Sequence, residues 1–187
     1  MTSASKAHLS INFPTVLTFI RIILVAPVMI LIFVDNLPAQ IATITLFILA
    51  SLTDKIDGYL ARKNHQVTDL GAFLDPLADK MLVNLTFLAL TMLNVVPLWM
   101  FATILVRDFA VDGLRMVSAG KGVTIPANIY GKVKTTVQMI TITSILLNQI
   151  LKFGPLTTVN VVLLYIVMFL TILSGAIYLF RGRKILK

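Results

Sequence analysis

Four aspartates, Asp54, Asp57, Asp75 and Asp79, carry the chemistry most legible in this sequence. They stand in the stretch SLTDKIDGYLARKNHQVTDLGAFLDPLADK, inside a chain of 187 residues that is 58% hydrophobic. Asp54 and Asp57 are three apart and Asp75 and Asp79 four apart, so on helices each pair shares one face. Gly58 and Ala61 fall on the first of these faces, and Gly71 precedes Asp75 by one turn. Two helices joined by the polar linker from Lys63 to Thr68 would bring the four carboxylates together. Carboxylates at close range oppose one another's ionisation, and each charge within a membrane span costs on the order of 3 kcal/mol or more. A bound divalent cation removes both penalties. Carboxylate oxygens suit Mg²⁺, Mn²⁺ or Ca²⁺, and Mg²⁺ commonly takes one or two carboxylates plus substrate phosphates. The chemistry indicated is phosphoryl or phosphatidyl transfer: metal neutralises a diphosphate, and a spare carboxylate takes the proton of an attacking hydroxyl.

The elements that must position these groups are helices. Only 13% of residues are charged and the mean hydropathy is +0.94, against about 25% charged in soluble domains. The chain has room for about six apolar runs of the roughly 20 residues that cross a bilayer. The expected fold is all-α, a polytopic membrane protein of one domain over residues 1–187 with six transmembrane helices. The polar residues 1–12 are expected to form a short surface helix. The pattern predicts helices over about residues 14–34, 38–61, 69–93, 98–119, 125–151 and 156–180. The last reads as almost purely apolar, without a polar stripe. With no cysteine, disulfides and thiolate metal sites are excluded. The first apolar run lacks a small-residue cleavage site and reads as a retained helix.

The net charge of +8 points to anionic headgroups and cytoplasmic loops rather than nucleic acid. Helix 2 carries its polar half last and helix 3 first, so both aspartate pairs fall on one side of the membrane. Fifteen of the sixteen Lys and Arg residues group on that side, and Lys152 alone lies near the other. The positive-inside rule then predicts a multi-pass protein of the cell membrane, with the aspartates and both termini facing the cytoplasm.

The spacing D-x-x-D-G-x-x-A-R-x8-G-x-x-x-D-x-x-x-D is met by Asp54, Asp57, Gly58, Ala61, Arg62, Gly71, Asp75 and Asp79. It resembles the signature of the CDP-alcohol phosphotransferases, and length and six-helix layout extend the resemblance over nearly the whole chain. The resemblance implies transfer of a phosphatidyl group from CDP-diacylglycerol to an alcohol, release of CMP, and two divalent ions, Mg²⁺ or Mn²⁺. It implies that Asp54, Asp57 and Asp75 bind metal. The resemblance also implies that Asp79 activates the acceptor hydroxyl and joins the metal ligands near the second ion. Asp57, Gly58, Ala61, Arg62 and Gly71 would hold the CDP moiety: small residues let the nucleotide approach, and Arg62 pairs with phosphate. The pattern from Arg107-Asp108 to Arg115, followed by Gly131-Lys132-Val133-Lys134-Thr135 and Gln138, resembles the phosphatidylglycerophosphate-forming branch. So does N-x-P-x-x-L-T-x-x-R, met by Asn12, Pro14, Leu17, Thr18 and Arg21. That branch more often has Glu where Asp108 stands, and often Asn where Thr15 stands. The implied acceptor is sn-glycerol 3-phosphate, its phosphate met by Thr18, Arg21, Arg107, Arg115, Lys132 and Lys134. Members resembling this chain are homodimers.

Plainer readings stand beside these. Arg21 would snorkel to headgroups. Arg107 and Arg115 would pair with Asp108 and Asp112 inside the bundle. Lys132 and Lys134 alternate, so one of them would meet lipid rather than the site. Inositol phosphate is the alternative acceptor. A divalent-cation transporter is the alternative class, but the far side of the membrane offers it only Asp35.

Overall fold

The apolar runs form helices wherever Asn, Pro or Gly does not interrupt them. The computed structural model describes the backbone of residues 13–63, 69–121 and 128–186, and side chains at 16, 18–53, 77–78, 80–121, 128–180 and 182. These residues form six α-helices and no strand: α1 (Phe13–Leu31), α2 (Leu37–Lys63), α3 (Asp69–Met92), α4 (Leu98–Gly120), α5 (Ile129–Leu151) and α6 (Gly154–Leu186). The six-helix, all-α expectation therefore holds for the described residues. The surface helix expected over residues 1–12 and the linker 64–68 lie outside them.

Local chemistry sets the helix ends. Asn36 opens α2: its side-chain Oδ1 accepts from the Ala39 N–H at 2.8 Å. Asn94, just past α3, takes φ 58°, a left-handed conformation that Asn tolerates better than most residues. The start of α5 lies four residues later than the apolar pattern suggests. Asn128 is extended (φ −82°, ψ 139°) and its side chain accepts from the Tyr130 N–H, which makes it the N-cap. The break between α5 and α6 falls at Lys152, with φ 48°, rather than at Gly154-Pro155, which instead open α6. Asn148 ties that turn, accepting from the Phe153 N–H at 3.1 Å and donating to Thr157 Oγ1 at 2.9 Å.

The chain divides into two compact units, Met1–Thr86 and Phe87–Lys187, with the boundary inside α3. In the first, α1 packs on α2. In the second, α6 packs against both α4 and α5. Helical hydroxyls bond back to carbonyls four residues earlier, as Thr86 to Leu82 at 2.7 Å and Thr141 to Val137 at 2.7 Å, so they enter apolar surroundings satisfied.

Helix α6 departs from its sequence reading. It extends to Leu186 and carries buried polar residues Asn160, Thr171 and Ser174, with Tyr178 also buried. Ser144 of α5 donates to Asn160 Oδ1 at 2.6 Å, a polar clasp between two otherwise apolar faces. The segment Gly154–Phe180 is long and apolar enough to cross a membrane, and Thr18–Leu31, Leu37–Thr53 and Lys80–Met92 are shorter apolar stretches. Asn160→Ala should lower stability by about 1 kcal/mol. Thermal unfolding in detergent of N160A, Ser144→Ala and the double variant checks this: fully additive losses would show that the clasp contributes nothing.

Candidate functional site

Helix α2 carries Asp54 and Asp57 and helix α3 carries Asp75 and Asp79, so each pair has the helical register that puts its members on one face. Gly58, Ala61 and Arg62 follow on α2, and Gly71 lies in the first turns of α3. The side chains of these eight residues lie outside the described set. Among the described residues no three His, Cys, Asp or Glu side chains form a metal cluster. The donor set on α2 and α3 is wholly carboxylate, which suits a hard divalent cation.

In the first unit, Thr18 and Arg21 are both buried, at 0% and 1% exposure. Arg21 Nε donates to the Ala50 carbonyl of α2 at 3.2 Å. Arg21 is thus drawn into the α1–α2 packing instead of snorkelling to a surface.

The second unit gathers the remaining cations. Lys134 of α5 is 2% exposed and its Nζ stands 2.6 Å from Asp108 Oδ1 of α4. The same oxygen accepts from Arg107 Nη1 at 2.9 Å. Arg107 Nη2 donates to Ser174 Oγ of α6 at 2.9 Å. One turn further along α6, the Tyr178 hydroxyl accepts from Arg115 Nη2 at 2.7 Å and from the Asn128 backbone N–H at 2.9 Å. The Tyr178 ring also faces both guanidiniums, 5.7 Å from Arg107 and 5.2 Å from Arg115, within cation–π range. Glycines permit this closeness: a Cβ at Gly175 would lie 3.0 Å from Arg107 Cγ, and one at Gly131 would lie 3.6 Å from Arg107 Nη2. Lys132, by contrast, is exposed on another face of α5.

The cluster is rich in donors and poor in acceptors. Arg107 Nε, Arg115 Nε, Asn128 Nδ2 and Gln138 Nε2 are buried and find no acceptor among the described residues. Buried donors without acceptors are rare because each forfeits its hydration. Such a set suits a ligand that brings several acceptor oxygens and negative charge, and a phosphate brings both.

The sequence profile of the CDP-alcohol phosphatidyltransferase family matches residues 11–173, most of the chain. The chain belongs to that family. The matched region contains the whole aspartate motif, together with Arg107, Arg115, Lys132 and Lys134. The chain is also similar to proteins named CDP-diacylglycerol–glycerol-3-phosphate 3-phosphatidyltransferase. That of Bacillus subtilis (strain 168) is 38% identical over 94% of this chain and 97% of its own length. That of Rickettsia bellii is 40% identical over 92% and 96%. That of Salmonella choleraesuis is 37% identical over 69% and 73%.

Within this phosphatidyltransferase, sequence reasoning missed Ser174 and Tyr178 on α6 and Asn128 at the head of α5. The available signal was the four-residue spacing of Ser174 and Tyr178, with Gly175 between them, in a helix otherwise built of Leu, Ile, Val and Phe. The pairing of Arg107 with Asp108, weighed above as a structural alternative, is present, and Asp108 serves Lys134 as well. Removing that shared carboxylate takes the negative charge from between two clustered cations. Asp108→Ala should therefore lower stability by about 3–5 kcal/mol, and Lys134→Met in the same chain should restore part of it. Thermal unfolding of the single and double variants checks this; a single variant as stable as the parent would deny the pair any structural weight.

Proposed function

We propose that the chain transfers the phosphatidyl group of CDP-diacylglycerol to sn-glycerol 3-phosphate, giving phosphatidylglycerophosphate and CMP. The observation that carries this reading is the near full-length similarity, at 38% and 40% identity, to two proteins named for that reaction. The donor-rich cluster around Arg107, Arg115 and Lys134 supports an acceptor that itself carries phosphate, and the reading also assigns Thr18 and Arg21 to the acceptor phosphate.

In the proposed reaction the acceptor hydroxyl oxygen bonds to the β-phosphorus of CDP-diacylglycerol, the bond to the CMP oxygen breaks, and Asp79 takes the hydroxyl proton. Asp54, Asp57 and Asp75, with Asp79 adjoining, would hold Mg²⁺ or Mn²⁺, which would supply charge neutralisation for the diphosphate. Asp57, Gly58, Ala61, Arg62 and Gly71 receive the CDP moiety. Lys134 is preferred to Lys132 as an acceptor ligand, because Lys134 is buried with Asp108 and Lys132 is exposed. The reading includes a single functional domain, supported by one family match over 11–173. It also includes a multi-pass protein of the cytoplasmic membrane with site and termini toward the cytoplasm. Support for that comes from the apolar α6 and from exposed large side chains such as Phe109, Met116 and Phe180. A homodimer completes the proposal.

Purified protein in detergent with Mg²⁺ should release CMP from CDP-diacylglycerol with glycerol 3-phosphate and not with inositol 1-phosphate. Release only with inositol phosphate would keep the mechanism and change the acceptor, and silence with both in folded protein would favour the transporter reading. Asp79→Asn should reduce turnover at least about 100-fold while Mn²⁺ binding is retained. Undiminished turnover would remove Asp79 as the base.

A further inference from the structure

Tyr178 sits at the centre of the cation cluster with a hydroxyl group whose bonding is incomplete. It is 3% exposed. Both described groups that approach its oxygen are obligate donors, Arg115 Nη2 at 2.7 Å and the Asn128 backbone N–H at 2.9 Å. They occupy the oxygen's two acceptor positions. The phenolic hydrogen must then find an acceptor elsewhere, and no described protein group supplies one. The neighbouring polar atoms are of the same kind: among the described residues, Arg115 Nε, Arg107 Nε and Asn128 Nδ2 are buried donors without an acceptor. A hydroxyl ringed by donors has its own hydrogen left to give to a ligand oxygen.

The ring does separate work. It lies 5.7 Å from the Arg107 guanidinium and 5.2 Å from that of Arg115, holding each by its face while Ser174 and the hydroxyl fix one Nη of each. Gly131 and Gly175 keep the surrounding space free of Cβ atoms. The approach of α5 to α6 is set here too, because the capping residue Asn128 is bonded to Tyr178 through its backbone.

We propose that Tyr178 is a specificity-determining residue of an oxyanion site: it orients Arg107 and Arg115 and donates its phenolic hydrogen to a phosphate oxygen. The identity of that phosphate as the acceptor's rests on the function proposed above. The phosphate site itself rests on the donor geometry alone.

The test compares the full-length wild-type protein with Tyr178→Phe, which keeps the ring and removes the hydroxyl. Binding of inorganic phosphate and of glycerol 3-phosphate is measured by calorimetry in detergent without CDP-diacylglycerol. Steady-state KM is then measured for both substrates. Y178F should weaken both anions by about 5-fold or more, the loss of one hydrogen bond to a charged group. KM for glycerol 3-phosphate should rise in step while KM for CDP-diacylglycerol stays put. Tyr178→Trp, which keeps a ring but offers the arginine no oxygen, should show the same split and serves if Y178F does not fold. Unchanged anion binding in a folded variant would overturn the inference. So would an equal rise in both KM values with a lowered Tm, the mark of a purely structural residue, and so would a wild type that binds neither anion. A wild type that binds phosphate but does not turn over glycerol 3-phosphate would sink the proposed function alone; the inference would then stand or fall on the anion affinities of Y178F.

Discussion

One carboxylate oxygen, Oδ1 of Asp108, holds together the polar interior of the Phe87–Lys187 unit. It accepts from Arg107 on its own helix and from Lys134 on α5. Lys134 is almost fully enclosed, and an ammonium withdrawn from water without a partner would lose its proton before it would stay charged. Asp108 makes its burial tolerable, and Lys134 in turn brings α5 to α4. The three side chains still sum to one positive charge. Local compensation is therefore partial, and the cluster keeps attraction for an anion while remaining a folded structure. A fully balanced core would be more stable and less able to bind one.

Helix α6 makes the arrangement possible by presenting two unlike surfaces. Its exposed face carries Phe169, Ile172 and Phe180, while Asn160, Thr171, Ser174 and Tyr178 are turned inward. These inward positions recur at intervals of three, four and eleven residues, the spacing of one helical face. Small uncharged groups suit that stripe. Thr171 satisfies itself on the Val167 carbonyl at 2.7 Å, whereas Ser174 and Tyr178 accept from arginines of another helix. The helix can thus keep an apolar exterior and still orient two guanidiniums, because the orienting groups carry no charge of their own.

The legibility of these features differs for physical reasons. The aspartate motif was visible because ionised side chains in an apolar chain demand an explanation, and their three- and four-residue spacings carry the helix with them. The six helices followed from apolar length. Their ends were less clear where two signals competed: the apolar pattern suggested an early start to α5, and the side chain of Asn128 overrules it by capping Tyr130. The inner face of α6 stayed hidden because Ser, Thr, Asn and Tyr barely alter a hydropathy average. Their meaning depends on Arg107 and Arg115, which are more than 60 residues away in sequence. Lys132 and Lys134 lie about 200° apart around a helix, so sequence alone indicated that only one could face inward. Asp108, on a different helix, decides which.

Two kinds of charged group make different demands: the motif on α2 and α3 carries Asp54, Asp57, Asp75 and Asp79, whereas the second unit gathers Arg107 and Lys134 around the single carboxylate of Asp108. In the proposed reaction both substrates bear phosphate, and each must be bound without occupying the other's place. Carboxylates repel a phosphate unless a cation intervenes, so the motif on α2 and α3 suits a diphosphate that arrives with metal. A guanidinium and ammonium cluster attracts a phosphate directly and repels a metal ion. In the proposed reaction, carboxylates with their cation and a guanidinium and ammonium cluster would discriminate between two phosphate-bearing substrates by charge sign before any shape is read. On α6, Tyr178 and Ser174 fix the direction of Arg115 and Arg107 without adding charge of their own.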